Sequence, residues 1–169
     1  MNIKNVIKDY PDYPKKGIIF KDMWPAIEDP DAFEYILTEF ENEFRGKIDT
    51  IIGIESRGFI FGAALANRLK ISFIPIRKKG KLPGETISRD FELEYGNASI
   101  EIKNESLQNK KILLIDDLLA TGGTVEAAIK MIKQLEGNII GLGFLIELKF
   151  LKAREILKDY KIFSIVGYE

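Results

Sequence analysis

Leu113–Thr124 reads LLIDDLLATGGT, and two kinds of chemistry are packed into it. Asp116 and Asp117 follow an apolar run, which puts two adjacent carboxylates at the exit of a buried strand. Thr121, Gly122, Gly123 and Thr124 come next. Glycine lets the backbone close on a ligand, threonine hydroxyls donate, and the N-terminus of a following helix offers unpaired N–H groups and a positive dipole end. A phosphate suits that turn. Two carboxylates beside a phosphate would repel it, so they face neutral hydroxyls, a cation, or positive charge developing in a transition state. A ribose diol supplies such hydroxyls. Mg2+ is such a cation, with oxygen ligands and substrate phosphates completing its shell. An ordinary strand–turn–helix accounts for Thr121 and the glycines but not for the paired acids, since buried charges need partners.

Other phosphate motifs fail. No lysine follows the glycines as a P-loop requires, and Gly141-Leu142-Gly143 lacks the third glycine of a dinucleotide fingerprint. Further polar groups stand near strand exits. Arg57, in Glu55-Ser56-Arg57-Gly58, reads equally as an anion ligand and as a salt-bridging arginine. Arg77, Lys78, Lys79 and Lys81 form a basic loop that on its own is solvated charge. Phe20 and Leu148 sit in apolar stretches and read as core. Among Glu92, Glu94 and Glu101, patterning alone singles out none.

Composition narrows the chemistry. The 169 residues include no cysteine and no histidine, which excludes disulfides, a thiolate nucleophile, Ser-His-Asp triads and His-ligated zinc. Acid–base work falls to carboxylates, lysines, tyrosines or the substrate. A net charge of −1 gives no global basic field for nucleic acid. The opening residues lack the apolar stretch of a signal peptide, and no apolar run reaches membrane-spanning length. The expectation is a cytoplasmic protein without membrane or nucleic-acid partners.

These residues must be held by elements whose periodicity is legible. Pro30–Glu34 reads as a helix start capped by Asp31, with Glu34 completing a capping box; Phe33, Ile36, Leu37, Phe40 and Phe44 follow at helical spacing. Thr50–Ile54, Ile71–Ile76, Lys111–Ile115, Ile139–Ile146 and Ile162–Val166 read as strands. Helices are expected over Gly58–Leu69, from Gly123 with Val125, Ala128, Ile129, Ile132 and Leu135 on one face, and around Leu151–Leu157. Strands alternating with helices predict an α/β domain, doubly wound, with a mostly parallel sheet and flanking helices. The stretch from Arg77 to Ser106 is too long and polar for a plain connection. Within it Phe91, Leu93 and Tyr95 alternate with Glu92 and Glu94, Gly96-Asn97 fits a tight turn, and Ile100 and Ile102 continue the apolar face. A β-hairpin lid is expected there.

The acid pair followed by Ala-Thr-Gly-Gly-Thr resembles the phosphoribosyl-diphosphate (PRPP) signature of the type I phosphoribosyltransferases. Within that superfamily, YPDYPKKGIIFKD (Tyr10–Asp22), GIESRGFIF (Gly53–Phe61), IRKKGKLP (Ile76–Pro83), LEYG (Leu93–Gly96) and the final Gly-Tyr-Glu resemble the adenine phosphoribosyltransferase family, in the expected order across nearly the whole chain. Ser88–Phe91 (SRDF) matches no family pattern, and no role is assigned to it.

The resemblance implies a purine-salvage transferase that moves the 5-phosphoribosyl group from PRPP to N9 of adenine, giving AMP and pyrophosphate. It implies one domain over residues 1–169, with an adenine-recognition arm at 1–30 and a flexible lid hairpin at 78–106. Ala120, Thr121, Gly122, Gly123 and Thr124 would cradle the 5-phosphate. Asp116 and Asp117 would hold the ribose hydroxyls and stabilise an oxocarbenium-like centre. Ser56, Arg57, Arg77, Lys78 and Lys81 would meet pyrophosphate, the basic loop acting in part across a homodimer interface. Ile19, Phe20 and Lys21 would meet adenine, with Leu148 as the apolar counter-face. Glu94 would close over the base as general acid or base at N7. Mg2+ would be held mainly by PRPP and water, without direct protein ligands. Relatives that take 6-oxopurines place a lysine or acid near the oxo group, and the GIIFKD arm argues against that reading. A non-catalytic PRPP or nucleotide sensor would need a nucleic-acid-binding segment, for which this chain has no spare domain.

Overall fold

The apolar runs pair into one sheet of seven strands in a computed structural model that describes residues 1–93 and 96–169. In chain order the elements are β1 (Lys8–Pro11), β2 (Ile19–Asp22), α1 (Trp24–Glu28), α2 (Pro30–Phe44), β3 (Thr50–Ile54), α3 (Gly58–Leu69) and β4 (Ser72–Lys78). They continue as β5 (Thr86–Leu93), β6 (Gly96–Lys103), β7 (Lys111–Leu119), α4 (Gly123–Gln134), β8 (Asn138–Leu148), α5 (Ala153–Ile156) and β9 (Ile162–Tyr168). The sheet order is β5-β6-β4-β3-β7-β8-β9. Strands β4, β3, β7, β8 and β9 run parallel, while β6 joins β4 antiparallel and β5 joins β6 antiparallel. β1 and β2 form a separate two-stranded sheet.

Both faces of the parallel part are covered, which explains why its strands read as continuous apolar runs. Ile51, Leu113 and Ile115 turn to α2 and α3, whereas Ile52, Ile54, Ile112 and Leu114 turn to α4. The glycines of Gly141-Leu142-Gly143 prove to be a packing groove. A Cβ at Gly141 would lie 2.6 Å from the buried Phe44 ring, and one at Gly143 would lie 3.1 Å from Phe40. Bare backbone on β8 therefore lets α2 lie directly on the sheet.

The structure moves several expected boundaries. Asp29, not Asp31, caps α2: its side chain accepts the amides of Asp31 (2.9 Å) and Ala32 (3.2 Å). Pro30, which has no N–H to offer, takes the first helical position. β7 does not stop at Ile115 but runs through Asp116 and Asp117 to Leu119, because β8 keeps pairing with it as far as Leu119↔Glu147. The helix expected at Leu151–Leu157 shrinks to a 3-10 turn over Lys149–Leu151 and the short α5, interrupted by Lys152 at φ 57°.

The hairpin exists, but Leu93 pairs with Gly96, so Gly96 and Asn97 lie in β6 rather than in the turn. Buried Ile100 and Ile102 fix that register opposite Arg89 and Ile87. Alternation defines faces without defining register. Glu94 and Tyr95 lie outside the described residues.

If Asp29 is the cap, Asp29→Ala will lower unfolding free energy by about 1 kcal/mol, and Asp31→Ala by only about 0.3 kcal/mol through the helix dipole. Urea denaturation of the two variants measures this, and the reverse ranking would restore Asp31 as the cap.

Candidate active site

β3 stops pairing with β7 at Gly53↔Ile115, while β7 runs on beside β8. Beyond Ile115, β7 therefore has an open edge, and the Glu55–Arg57 loop leaving β3 folds along it. A cleft of about 640 Å³ opens there, lined by Glu55, Ser56 and Arg57, by Lys78 and Lys79, by Asp116, Asp117 and Thr124, and by Phe91, Leu93 and Ser99 of the hairpin. The peptide between Glu55 and Ser56 is cis.

The acids are packed hard against the start of α3. A Cβ on Gly58 would lie 2.9 Å from the Ile115 carbonyl oxygen and 3.0 Å from Asp116 Oδ1, so only glycine lets the helix come this close. The Asp117 amide donates to Asp116 Oδ1 at 2.8 Å. Arg57 Nε donates to Asp117 Oδ2 at 2.6 Å. Arg57 is therefore ion-paired, and it also lines the cleft. Burial, followed by the neighbouring Asp117 charge, pushes the Asp116 pKa well above the ordinary aspartate value, and Arg57 only partly opposes this. A carboxylate so perturbed, in a cleft, is a mark of a functional site.

Two glutamates build the basic loop from beneath. Glu55 accepts from Arg77 Nη2 (3.1 Å), from Arg77 Nε (3.3 Å) and from the Lys78 amide (2.8 Å). Burial opposes its charge, yet those donors together hold its pKa below the usual glutamate value. Glu101 is buried on β6 and accepts the amides of Lys81 (2.9 Å) and Leu82 (2.8 Å) and the Thr86 hydroxyl (3.3 Å). Arg77 Nη1 also donates to the Lys81 carbonyl. Arg77 is therefore a strut of the loop, and the backbone of Lys81 is pinned, while Lys78 and Lys79 face the cleft.

At the far side of β7 lies a smaller pocket of about 120 Å³, lined by Ile18–Trp24, Leu118, Ile146 and Leu148, together with Arg57 and Asp117. Phe20 and Leu148 are half-buried and line the pocket, and Leu148 also packs against the core. Tyr13 meets Phe20 edge-on at 5.3 Å. The Lys21 ammonium turns to Asp9 at 2.7 Å. On the other flank, Gly122 adopts φ 92° at the cap of α4, a conformation open to glycine. The first amides of that helix have no intrahelical acceptors, and Thr124 brings the turn to the cleft wall.

Comparison with known proteins decides the family. Residues 24–167 match the phosphoribosyl transferase domain family. An adenine phosphoribosyltransferase of Halothermothrix orenii is 54% identical over 98% of this chain and 99% of its own. The chain belongs to the adenine phosphoribosyltransferase family. The crystal structure of an adenine phosphoribosyltransferase from Thermoanaerobacter pseudethanolicus superposes with a TM-score of 0.93 at 45% identity, covering 98% of each chain. A Saccharomyces cerevisiae adenine phosphoribosyltransferase, solved with an imino-altritol bisphosphate and adenine, superposes at 0.90 with 39% identity over 96% of each chain.

Against this adenine phosphoribosyltransferase frame, the structure brings Ser56, Arg57, Lys78, Asp116, Asp117 and Thr124 to one cleft and Ile19, Phe20, Lys21 and Leu148 to the adjoining pocket. Arg77 and the Lys81 backbone are held by hydrogen bonds within the loop bordering the cleft. Glu94 lies outside the described residues. Sequence reasoning missed Glu55 and Glu101 as loop anchors. Glu101 sits between Ile100 and Ile102 and so reads as a solvent-facing residue, but the loop after β4 covers that face.

Gly58→Ala is expected to lower kcat/KM about 100-fold by shifting the acids and to cost about 1–3 kcal/mol of stability; parent-like kinetics would show that α3 does not set their position. Asp116 gives a pH test. Its folded pKa is raised, so its contribution to stability is present below the unfolded value near 3.8 and is lost as pH rises through the folded one. Asp116→Asn should therefore be more stable than the parent at pH 7, by about 1 kcal/mol, with the gap closing toward pH 4. Thermal melts of the ligand-free proteins from pH 4 to 8 measure it, and a pH-independent gap would contradict the assignment.

Proposed function

We propose that this chain transfers the 5-phosphoribosyl group from PRPP to N9 of adenine, releasing pyrophosphate and forming AMP. One observation carries the assignment of roles: Arg57 and Asp117 line both the large cleft and the apolar pocket. The sugar whose C1 changes partners belongs at that junction, with diphosphate on one side and base on the other.

Thr121–Thr124 and Ala120 hold the 5-phosphate on the α4 N-terminus. Asp116 and Asp117 accept from the ribose 2- and 3-hydroxyls. As the bond from C1 to the diphosphate oxygen breaks, their charge stabilises the oxocarbenium-like centre in a site where charges are poorly screened. Ser56, Arg57 and Lys78 receive the diphosphate, with Arg77 and Lys81 shaping the loop that presents Lys78. Ile19 bonds the base through its backbone, and Phe20 and Leu148 sandwich it. Glu94 takes up the proton that the base loses at N7 as N9 bonds to C1.

The donor set fits Mg2+ carried in on the substrate. Asp116 and Asp117 offer hard oxygens to the cleft, while no three acidic or imidazole side chains converge among the described residues. Mg2+ keeps several waters and substrate oxygens in such settings; when bound, it makes pyrophosphate a better leaving group. We further propose that the enzyme works in the cytoplasm as a homodimer, with residues 78–106 closing as a lid. Among the described residues no helix is long and apolar enough to cross a membrane.

The test is AMP formation from PRPP, Mg2+ and adenine, with hypoxanthine and guanine in parallel. Turnover of adenine alone is expected. Turnover of a 6-oxopurine would overturn the base assignment, and saturable PRPP binding without turnover would favour a sensor. Glu94→Gln is expected to lose about 100- to 10,000-fold in kcat with adenine affinity little changed; equal kcat would remove Glu94 from the chemistry.

A further inference from the structure

The β1–β2 sheet carries Ile19, Phe20 and Lys21 to the apolar pocket, yet among the described residues it shares no strand pairing with the seven-stranded sheet. Side chains must therefore set its height over Leu118, Ile146 and Leu148. Lys21 stands at the joint. Its ammonium lies 2.7 Å from Asp9 Oδ2 on β1 and 3.9 Å from the centre of the Tyr168 ring on β9. Lys4, from the N-terminal 3-10 turn, approaches the same ring at 4.7 Å. The Lys21 side chain is only 12% exposed, and attraction between a cation and a ring face strengthens as water is removed.

Tyr168 is 9% exposed, and its hydroxyl is buried without a hydrogen-bond partner among the described residues. A phenol left unsatisfied in this way gains nothing from its oxygen. What the position uses is the ring. The charge on Lys21 is likewise occupied by Asp9 and the ring, which leaves its aliphatic stem to line the pocket.

We propose that Tyr168 is a positioning residue for the base pocket: its ring holds the Lys21 ammonium and thereby fixes the separate arm that supplies one wall of that pocket. Lys21 then acts as a tether rather than as a charged contact to the ligand. The inference deepens the adenine reading of the pocket and rests on it.

Trp24 is the sole tryptophan of the chain and lines this pocket, so its fluorescence reports AMP binding independently of turnover. Tyr168→Phe keeps the ring and removes the unpartnered hydroxyl; its adenine KM should stay within about twofold of the parent. Tyr168→Leu should raise adenine KM about tenfold, equivalent to about 1.4 kcal/mol, and weaken the Trp24 response to AMP to match, with PRPP KM unchanged. Lys21→Met should move the same quantities in the same direction, and it carries the test if Tyr168→Leu fails to fold. The proposal is overturned if the ring-removing and charge-removing variants keep the parent adenine KM, if adenine and PRPP KM rise equally, or if Tyr168→Phe is as damaging as Tyr168→Leu. Failure of the adenine reading itself would show in the unsubstituted protein, as absent turnover of adenine.

Discussion

Much of this molecule follows from one mismatch of length: β7 runs on to Leu119 beside β8 after β3 has stopped pairing at Ile115. A strand with one edge left unpaired gives another segment room to pack along it. The loop after β3 and the start of α3 cover it, and the approach is close enough that Gly58 tolerates no side chain. Asp116 and Asp117 are the residues caught in the overlap. The guanidinium beside them, that of Arg57, is directed at Asp117.

The carboxylates of the structure divide by what surrounds them. Arg154 is the largest influence on Glu147, which accepts two of its guanidinium hydrogen bonds and the Ser164 hydroxyl; burial opposes these, and the pKa falls. For Glu55 and Glu101 burial is the largest single influence and opposes ionisation, but several donors together outweigh it. Such groups stabilise the fold above the ordinary glutamate pKa and lose that contribution as pH falls through their lowered folded values. Asp116 is the opposite case. Ionising it in the folded protein works against its burial and against the neighbouring Asp117 charge.

The sequence made some of this legible and hid the rest for physical reasons. The expected bounds of α3, Gly58–Leu69, match the structure, and Thr-Gly-Gly-Thr marked the turn into α4, but the Asp pair lies inside β7 rather than at its exit. Strand length did not follow: β7 is extended by a partner, β8, that periodicity cannot see. The hairpin faces were readable from alternation, but its register was fixed by Ile100 and Ile102 packing toward α4. The role of Glu101 depends on the loop after β4 folding over it. Cap choice between Asp29 and Asp31 turned on one backbone dihedral pair, φ −86° and ψ 112° at Asp29.

The separation of the β1–β2 sheet from the main sheet has an evolutionary reading. Strand pairing in the core constrains the acids, the phosphate turn and the basic loop together, so a change to one disturbs the others. The arm is free of that ladder and is joined through a few side chains and an apolar seam of Ile3, Ile7 and Met23. Substitutions within the first two dozen residues can therefore accumulate in the arm without disturbing the ladder that holds Asp116, Asp117 and the loop after β4.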